Sequence, residues 1–133
     1  MKKLLLAILF TLVFNVNASA EIIYIVCVDE KRSLEENRDV SIKLSFDEAG
    51  NWINVGGQKF IDGIKKDTAG EIIKLTRVDI NVNEIKLLHN DSILNILLDM
   101  RINRLDGSMS QKSLMVGKEY NFNYQCQKDN RAF

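Results

Sequence analysis

The sequence predicts a small all-β domain: an antiparallel barrel or sandwich of about eight short strands, its first and last strands joined by a disulfide. Three observations carry this. Apolar and polar residues alternate at period two in several stretches, most plainly Val40–Phe46 and Glu119–Cys126. Clusters of Gly, Asn, Asp and Ser recur between those stretches and the chain has no proline, a pattern of hairpins rather than of strand–helix–strand crossovers. The two cysteines, Cys27 and Cys126, stand in the first and last of the expected strands.

Residues 1–20 read as an export leader. Lys2 and Lys3 form a basic start, Leu4–Phe14 is an apolar run interrupted only by Thr11, and Ala18-Ser19-Ala20 supplies the small residues of a cleavage site. A run of that length falls short of the roughly 20 residues that span a bilayer. The mature chain, residues 21–133, is therefore expected as a single soluble β domain in the periplasm or outside the cell, with no membrane span. The short Lys-led leader points to a bacterial source.

In an oxidising compartment two cysteines in a domain of this size read as a structural disulfide. Closing nearly the whole domain in one loop is worth roughly 4–5 kcal/mol in the chain-entropy model. A reactive pair would be expected in a Cys-x-x-Cys turn. Removing Lys2 and Lys3 from the 18 basic residues leaves 16 against 18 acidic ones, a net charge of −2. Nucleic acid as a partner is excluded on that ground, because it needs a basic face to release counterions.

Along the chain, Glu21–Val28 reads as a strand buried on both faces. Asp29–Asp39 has eight charged residues in eleven and reads as a solvated loop or short exposed helical turn; as a long exposed loop it is also the candidate recognition element. In Val40–Phe46, Val40, Ile42, Leu44 and Phe46 share the dry face. Asp47–Asn51 is a turn, Trp52–Val55 a hairpin partner with Trp52 packed on the sheet, and Gly56-Gly57 a break. Phe60, Ile61 and Ile64 mark one further, loosely defined strand. Glu71–Val82 and Ile85–His89 follow, with a turn at Asn83-Glu84 and another at Asn90-Asp91. Ser92–Arg104 has helical spacing in Ile93, Ile96, Leu97 and Met100, but its β neighbours and the two-residue turn Asp106-Gly107 favour a strand. Gly107–Val116 returns, and Glu119–Cys126 closes the chain with Tyr120, Phe122, Tyr124 and Cys126 on one buried face.

No catalytic, cofactor or metal site is legible. His89 is the one histidine; beside the expected turn at Asn90-Asp91 it reads as a surface residue. No His/Cys/carboxylate cluster has zinc-ligand spacing, and Gly56-Gly57 is not followed by the Lys-Ser or Lys-Thr of a phosphate loop. Paired carboxylates could hydrolyse a glycoside without a cofactor, yet the sequence places no two of its acids together.

Ile102-Asn103-Arg104-Leu105-Asp106-Gly107, followed by a strand and Cys126, resembles the C-terminal half of small exported bacterial proteins of unknown function. These carry an Asn/Asp-Arg-x-x-Gly hairpin before a late Cys. The resemblance spans about 40 residues and implies a β-protein of the cell envelope. The layout is also similar to that of periplasmic lysozyme inhibitors, small barrels closed by an end-to-end disulfide. It departs from them at the Tyr-x-Cys opening, since Tyr24 stands three residues before Cys27.

The function expected is that of an exported non-catalytic binding protein, with no cofactor, engaging a protein or glycan of the envelope. An inhibitor of an envelope or foreign enzyme is the concrete version. The alternatives are a small-ligand carrier with an apolar barrel interior and a small carboxylate-dependent hydrolase. The carrier requires that Val40, Ile42, Leu44, Phe46, Tyr120, Phe122 and Tyr124 leave a hollow. The hydrolase requires two carboxylates facing each other across a cleft, roughly 5–10 Å apart.

Overall fold

Alternation drives the chain into one continuous antiparallel sheet that curls almost into a barrel. The structure, a computed structural model, describes residues 21–129; the expected leader and residues 130–133 lie outside the described residues. The strands are β1 (Ile22–Val28), β2 (Ser41–Asp47), β3 (Trp52–Val55), β4 (Gln58–Ile61), β5 (Gly63–Lys66), β6 (Ile72–Ile80), β7 (Glu84–Asp91), β8 (Ile96–Asn103), β9 (Ser108–Met115) and β10 (Lys118–Lys128). Among the described residues a single short helix, α1 (Glu30–Glu36), joins β1 to β2. The strand order is β4-β3-β2-β1-β10-β9-β8-β7-β6-β5. Every consecutive pair is therefore adjacent except β4 and β5, and the first strand pairs with the last.

Ten strands replace the eight or so expected, and the stretch from Trp52 to Lys66 accounts for the difference. Phe60, Ile61 and Ile64 do not share one strand: β4 and β5 are separated by the bend at Asp62 and belong to opposite edges of the sheet. They form the two arms of a V with Asp62 at its apex. The Asp62 N–H donates to the Asn51 carbonyl at 2.9 Å on the β3 side. Its carboxylate accepts the Val78 N–H at 2.9 Å on the β6 side. One residue thus bridges both edges where no backbone ladder does.

The other seam lies between β1 and β10. It is only four residue pairs long, Ile25–Val28 against Gln125–Lys128, and Cys27 faces Cys126 within it. The two are bonded, across 99 positions of sequence. Inward parity runs unbroken round the sheet through cross-strand partners: Cys27, Ile42; Ile25, Leu44; Phe46, Ile53, Phe60. On the other side it runs through Val78, Leu87, Met100 and Ile80, Ile85, Ile102, Met109. These residues make the core. Leu44, Phe46, Ile53, Ile85, Leu87 and Met100 are at most 1% exposed, and burying each is worth roughly 1.5–3 kcal/mol.

A single curved layer explains two departures from the sequence reading. β1 is buried on one face only: Ile25 and Cys27 point in, while Ile22 is exposed and Tyr24 and Val26 are half-buried. The aromatic face of β10 is incompletely buried as well. β10 pairs with β9 from Lys118 to Gln125 but with β1 only from Gln125 onward, so Phe122 and Tyr124 are half-buried and Tyr120 is exposed.

The two ends of the barrel differ. At one end the turns after β2, β6 and β8 converge under Arg104. Its guanidinium lies 5.4 Å over the Phe46 ring and donates to both Glu48 oxygens at 2.9 and 3.2 Å and to the Asn81 carbonyl at 2.8 Å. The turn is the four-residue Arg104–Gly107, not the two-residue Asp106-Gly107. Gly107 is required there, because a Cβ would collide with the Cys126 backbone carbonyl and the residue has φ +77°. The Asn-Arg-x-x-Gly motif is thus an end cap: Arg seals the core, and Gly lets the turn lie against the disulfide strand.

The other end carries α1 and the turns at Gly56-Gly57, residues 67–71, residues 92–95 and Val116-Gly117. Ser92–Arg104 resolves into a turn and the strand β8, as its neighbours require.

The seam predicts the effect of the disulfide. In the Cys27→Ser/Cys126→Ser double variant, stability should fall by up to roughly 4–5 kcal/mol. Urea unfolding of the two proteins checks this, and equal midpoints would contradict it. Intact mass without reductant should be two hydrogens below the reduced chain.

Candidate functional site

The uncapped end is where the barrel interior changes character. Inward parity continues past the core as Thr76 and Lys74 on β6, His89 and Asp91 on β7, Leu98 and Ile96 on β8, and Ser113 and Met115 on β9. Four of these are polar or ionisable on the two strands β6 and β7, and the space above them is not filled. A cavity of about 490 Å³ opens there, walled on the far side by β4 through Phe60. The V of β4 and β5 makes this possible, because its arms are not bonded to each other.

His89 is the centre of the cluster. The sequence reading placed it on the surface; the structure turns it inward. β7 runs on to Asp91, so His89 shares the parity of Ile85 and Leu87 instead of lying at a strand end. Its Nδ1 is 2.9 Å from the Thr76 hydroxyl, and Phe60 meets its ring edge-on with centroids 5.0 Å apart. The Nδ1 contact leaves Nε2 as the ring nitrogen available to a ligand. Burial holds the His89 pKa below its ordinary 6.5; Asp91 opposes this and Lys74 adds to it.

Asp91 is buried and fully used. Its Oδ1 accepts the N–H groups of Leu94 at 3.1 Å and Ile93 at 3.0 Å, and its Oδ2 faces Lys74 Nζ at 3.6 Å. The Leu94 N–H is the main cause of its lowered pKa, with burial opposing and Ile93 and Lys74 reinforcing. Asp91 thereby ties the β7–β8 turn to the wall of the cavity and anchors Lys74, whose side chain stays 43% exposed with further N–H donors to offer.

The expected site residues fall as follows. Cys27 and Cys126 are bonded to each other and lie outside the cavity. Asp29–Asp39 is largely the helix α1: Asp29 is its N-cap, accepting the Arg32 N–H at 3.0 Å, and Asn37 its left-handed C-cap. The helix stands beside the part of β10 that β1 does not reach, with Arg32 4.9 Å over the Phe122 ring. That leaves a second concavity of about 440 Å³ between α1 and β10. Trp52 is half-buried on the outer surface under Lys59, 4.5 Å from its ring.

Lys74, Thr76, His89 and Asp91 are the residues that sequence reasoning did not bring together. Among the described residues no group of three or more His, Cys, Asp and Glu side chains is placed to hold a metal ion. The cavity wall contributes one carboxylate, Asp91, where a paired-carboxylate hydrolysis needs two. Among the described residues no helix is long and apolar enough to cross a membrane.

Comparison with protein-family models, with curated proteins and with solved structures found no match.

The lowered pKa of His89 carries a stability consequence with a definite sign. Between its folded pKa and 6.5 the unfolded chain binds the extra proton, so stability is complete above 6.5 and declines as pH falls toward the folded value. Urea midpoints from pH 7.5 to 5.5 should fall more steeply for the wild type than for His89→Gln. Parallel profiles would contradict a half-buried His89 whose pKa is held below 6.5.

Proposed function

We propose that the protein is a non-catalytic binding protein of the cell envelope whose open end takes up a small single-chain amphiphile with an acidic head. The observation that carries this reading is the change of inward side chains along β6 and β7. Val78, Ile80, Ile85 and Leu87 fill the barrel, whereas Lys74, Thr76, His89 and Asp91 surround a space left empty. Side chains sufficient to fill the barrel are present at one end and replaced by polar groups at the other. A mostly apolar pocket with a few convergent polar groups is the usual form of a small-molecule site.

The donor set selects the head group. The Asp91 charge is already met by two backbone N–H groups and Lys74. The Lys74 ammonium remains, and with the Thr76 hydroxyl donating to Nδ1 the His89 Nε2–H remains as a second donor; both then face an acceptor such as a carboxylate. Phe60, Ile96, Leu98 and Met115 offer the apolar wall for the tail. The carrier expectation is therefore revised: the centre is packed by Leu44 and Phe46, and the hollow is a polar-backed cup at one end. The recognition element expected at Asp29–Asp39 is a short capped helix beside a shallower groove, and it lends the reading less support than the cup does.

Because the chain has one histidine, its ring signals report the cup directly. Titration with decanoate should shift the His89 imidazole resonances saturably at one equivalent. Met115→Trp, at the half-exposed mouth, should block the shift while leaving the unfolding midpoint close to the wild type. An unshifted His89 signal at saturating decanoate would refute the reading.

A further inference from the structure

We infer that the open end of the barrel docks on an anionic lipid surface, so that the cup faces the bilayer. The β7–β8 and β9–β10 hairpins lie side by side, since Ile96 pairs with Met115. Their tips carry Ile93, Leu94, Met115 and Val116, which are 66%, 59%, 48% and 84% exposed. Four large apolar side chains on two adjacent protruding turns form a cluster that folding does not need.

Val116 is the sharpest case. It occupies the first of two positive-φ positions in a two-residue hairpin turn, with φ 51° at Val116 and 78° at Gly117. Such turns favour Asn-Gly, and a β-branched residue is strained there. The chain thus keeps both backbone strain and apolar exposure at a site where one ordinary substitution would relieve both. A role outside the folded domain accounts for this.

The acids of this end, Glu30, Glu35 and Glu36, lie on α1 over β10, and Glu119 pairs with Lys112; the charges beside the tips themselves indicate what covers them. Lys118 follows the Val116 turn, and Lys65 and Lys66 lie on β5 as it descends to the same end. All three are exposed and make no ion pair among the described residues. Asp67 and Glu71 share the neighbouring turn, where the Asp67 carboxylate is occupied by the Ala69 and Glu71 N–H groups. At the capped end Val82 and Leu105 also protrude, but singly, beside Glu84 and Asp106. Apolar tips flanked by lysines suit the interface of a bilayer, where the tips enter the acyl boundary and the ammonium groups meet anionic heads. Separate protruding tips suit a deformable lipid surface better than the flat face of a folded partner. What then passes into the cup rests on the ligand reading above; the docking itself does not.

Flotation of the mature protein with phosphatidylglycerol–phosphatidylcholine vesicles tests this, with phosphatidylcholine alone as the second arm. Binding is expected to the mixed vesicles and to weaken about fivefold for each of Lys65→Gln, Lys66→Gln and Lys118→Gln. Val116→Asn together with Leu94→Ser should abolish binding, while Val116→Asn alone should fold with an equal or higher melting temperature. The proposal is overturned if the wild type does not float with the mixed vesicles, or if the double variant floats equally well. It is also overturned if the wild type instead self-associates through these tips. Decanoate titration of the same samples in vesicle-free buffer reports on the cup separately, so loss of one reading leaves the other standing.

Discussion

Closure is the constraint on which the rest of this structure depends. A meander of ten short strands has two chain ends and two sheet edges to secure. The β1–β10 ladder secures the ends with four residue pairs and the Cys27–Cys126 bond. Asp62 secures the edges, with one backbone and one side-chain hydrogen bond. Neither seam is long. The covalent bond compensates for a short ladder by restricting the unfolded chain, and it holds β1 and β10 together. Its placement beside Gly107 extends the effect, because the Cys126 N–H donates to the Gly107 carbonyl at 2.7 Å and so ties the end cap to the seam.

The same register produces two unlike ends. At the capped end, inward Phe46, Ile85 and Ile102 fill the barrel and Arg104 covers them, its charge met by Glu48. At the open end, the apex at Asp62 lets β4 and β5 diverge, and the inward positions of β6 and β7 turn polar. The cluster built there is internally satisfied: Asp91 holds the turn that bears Leu94, Lys74 answers Asp91, and Thr76 answers His89. This polar network is satisfied on its strand side and borders the cavity on the other, where Lys74 stays partly exposed. The apolar tips stand on that same rim, so the proposed cup and the proposed docking surface share one open barrel end.

Fold class was legible because it rests on local signals. The alternation of Ile42, Leu44 and Phe46, the glycine turns and the distant cysteines each act within a few residues or through chemistry alone. The strand count was less legible, since the division at Asp62 depends on which edge each arm joins, a long-range outcome. The cup was legible only in part. Ile85, Leu87, His89 and Asp91 lie at successive alternate positions, and that parity already puts His89 on the core face. Reading Asn90-Asp91 as a turn ended the strand two residues early and hid the pattern. The Thr76–His89 and Lys74–Asp91 pairings had no sequence signal, because register between β6 and β7 is set by their hairpin and by the packing of Val78 against Leu87.

The inward placement of His89 underlies both the fold of the open end and the proposed cup, and nuclear Overhauser contacts of its ring test it most directly. Cross-peaks are expected from the His89 imidazole protons to the Phe60 ring and to Thr76, with a titration midpoint below 6.5. An imidazole that lacks those contacts and titrates at 6.5 would put His89 outside the barrel and rule out the cup.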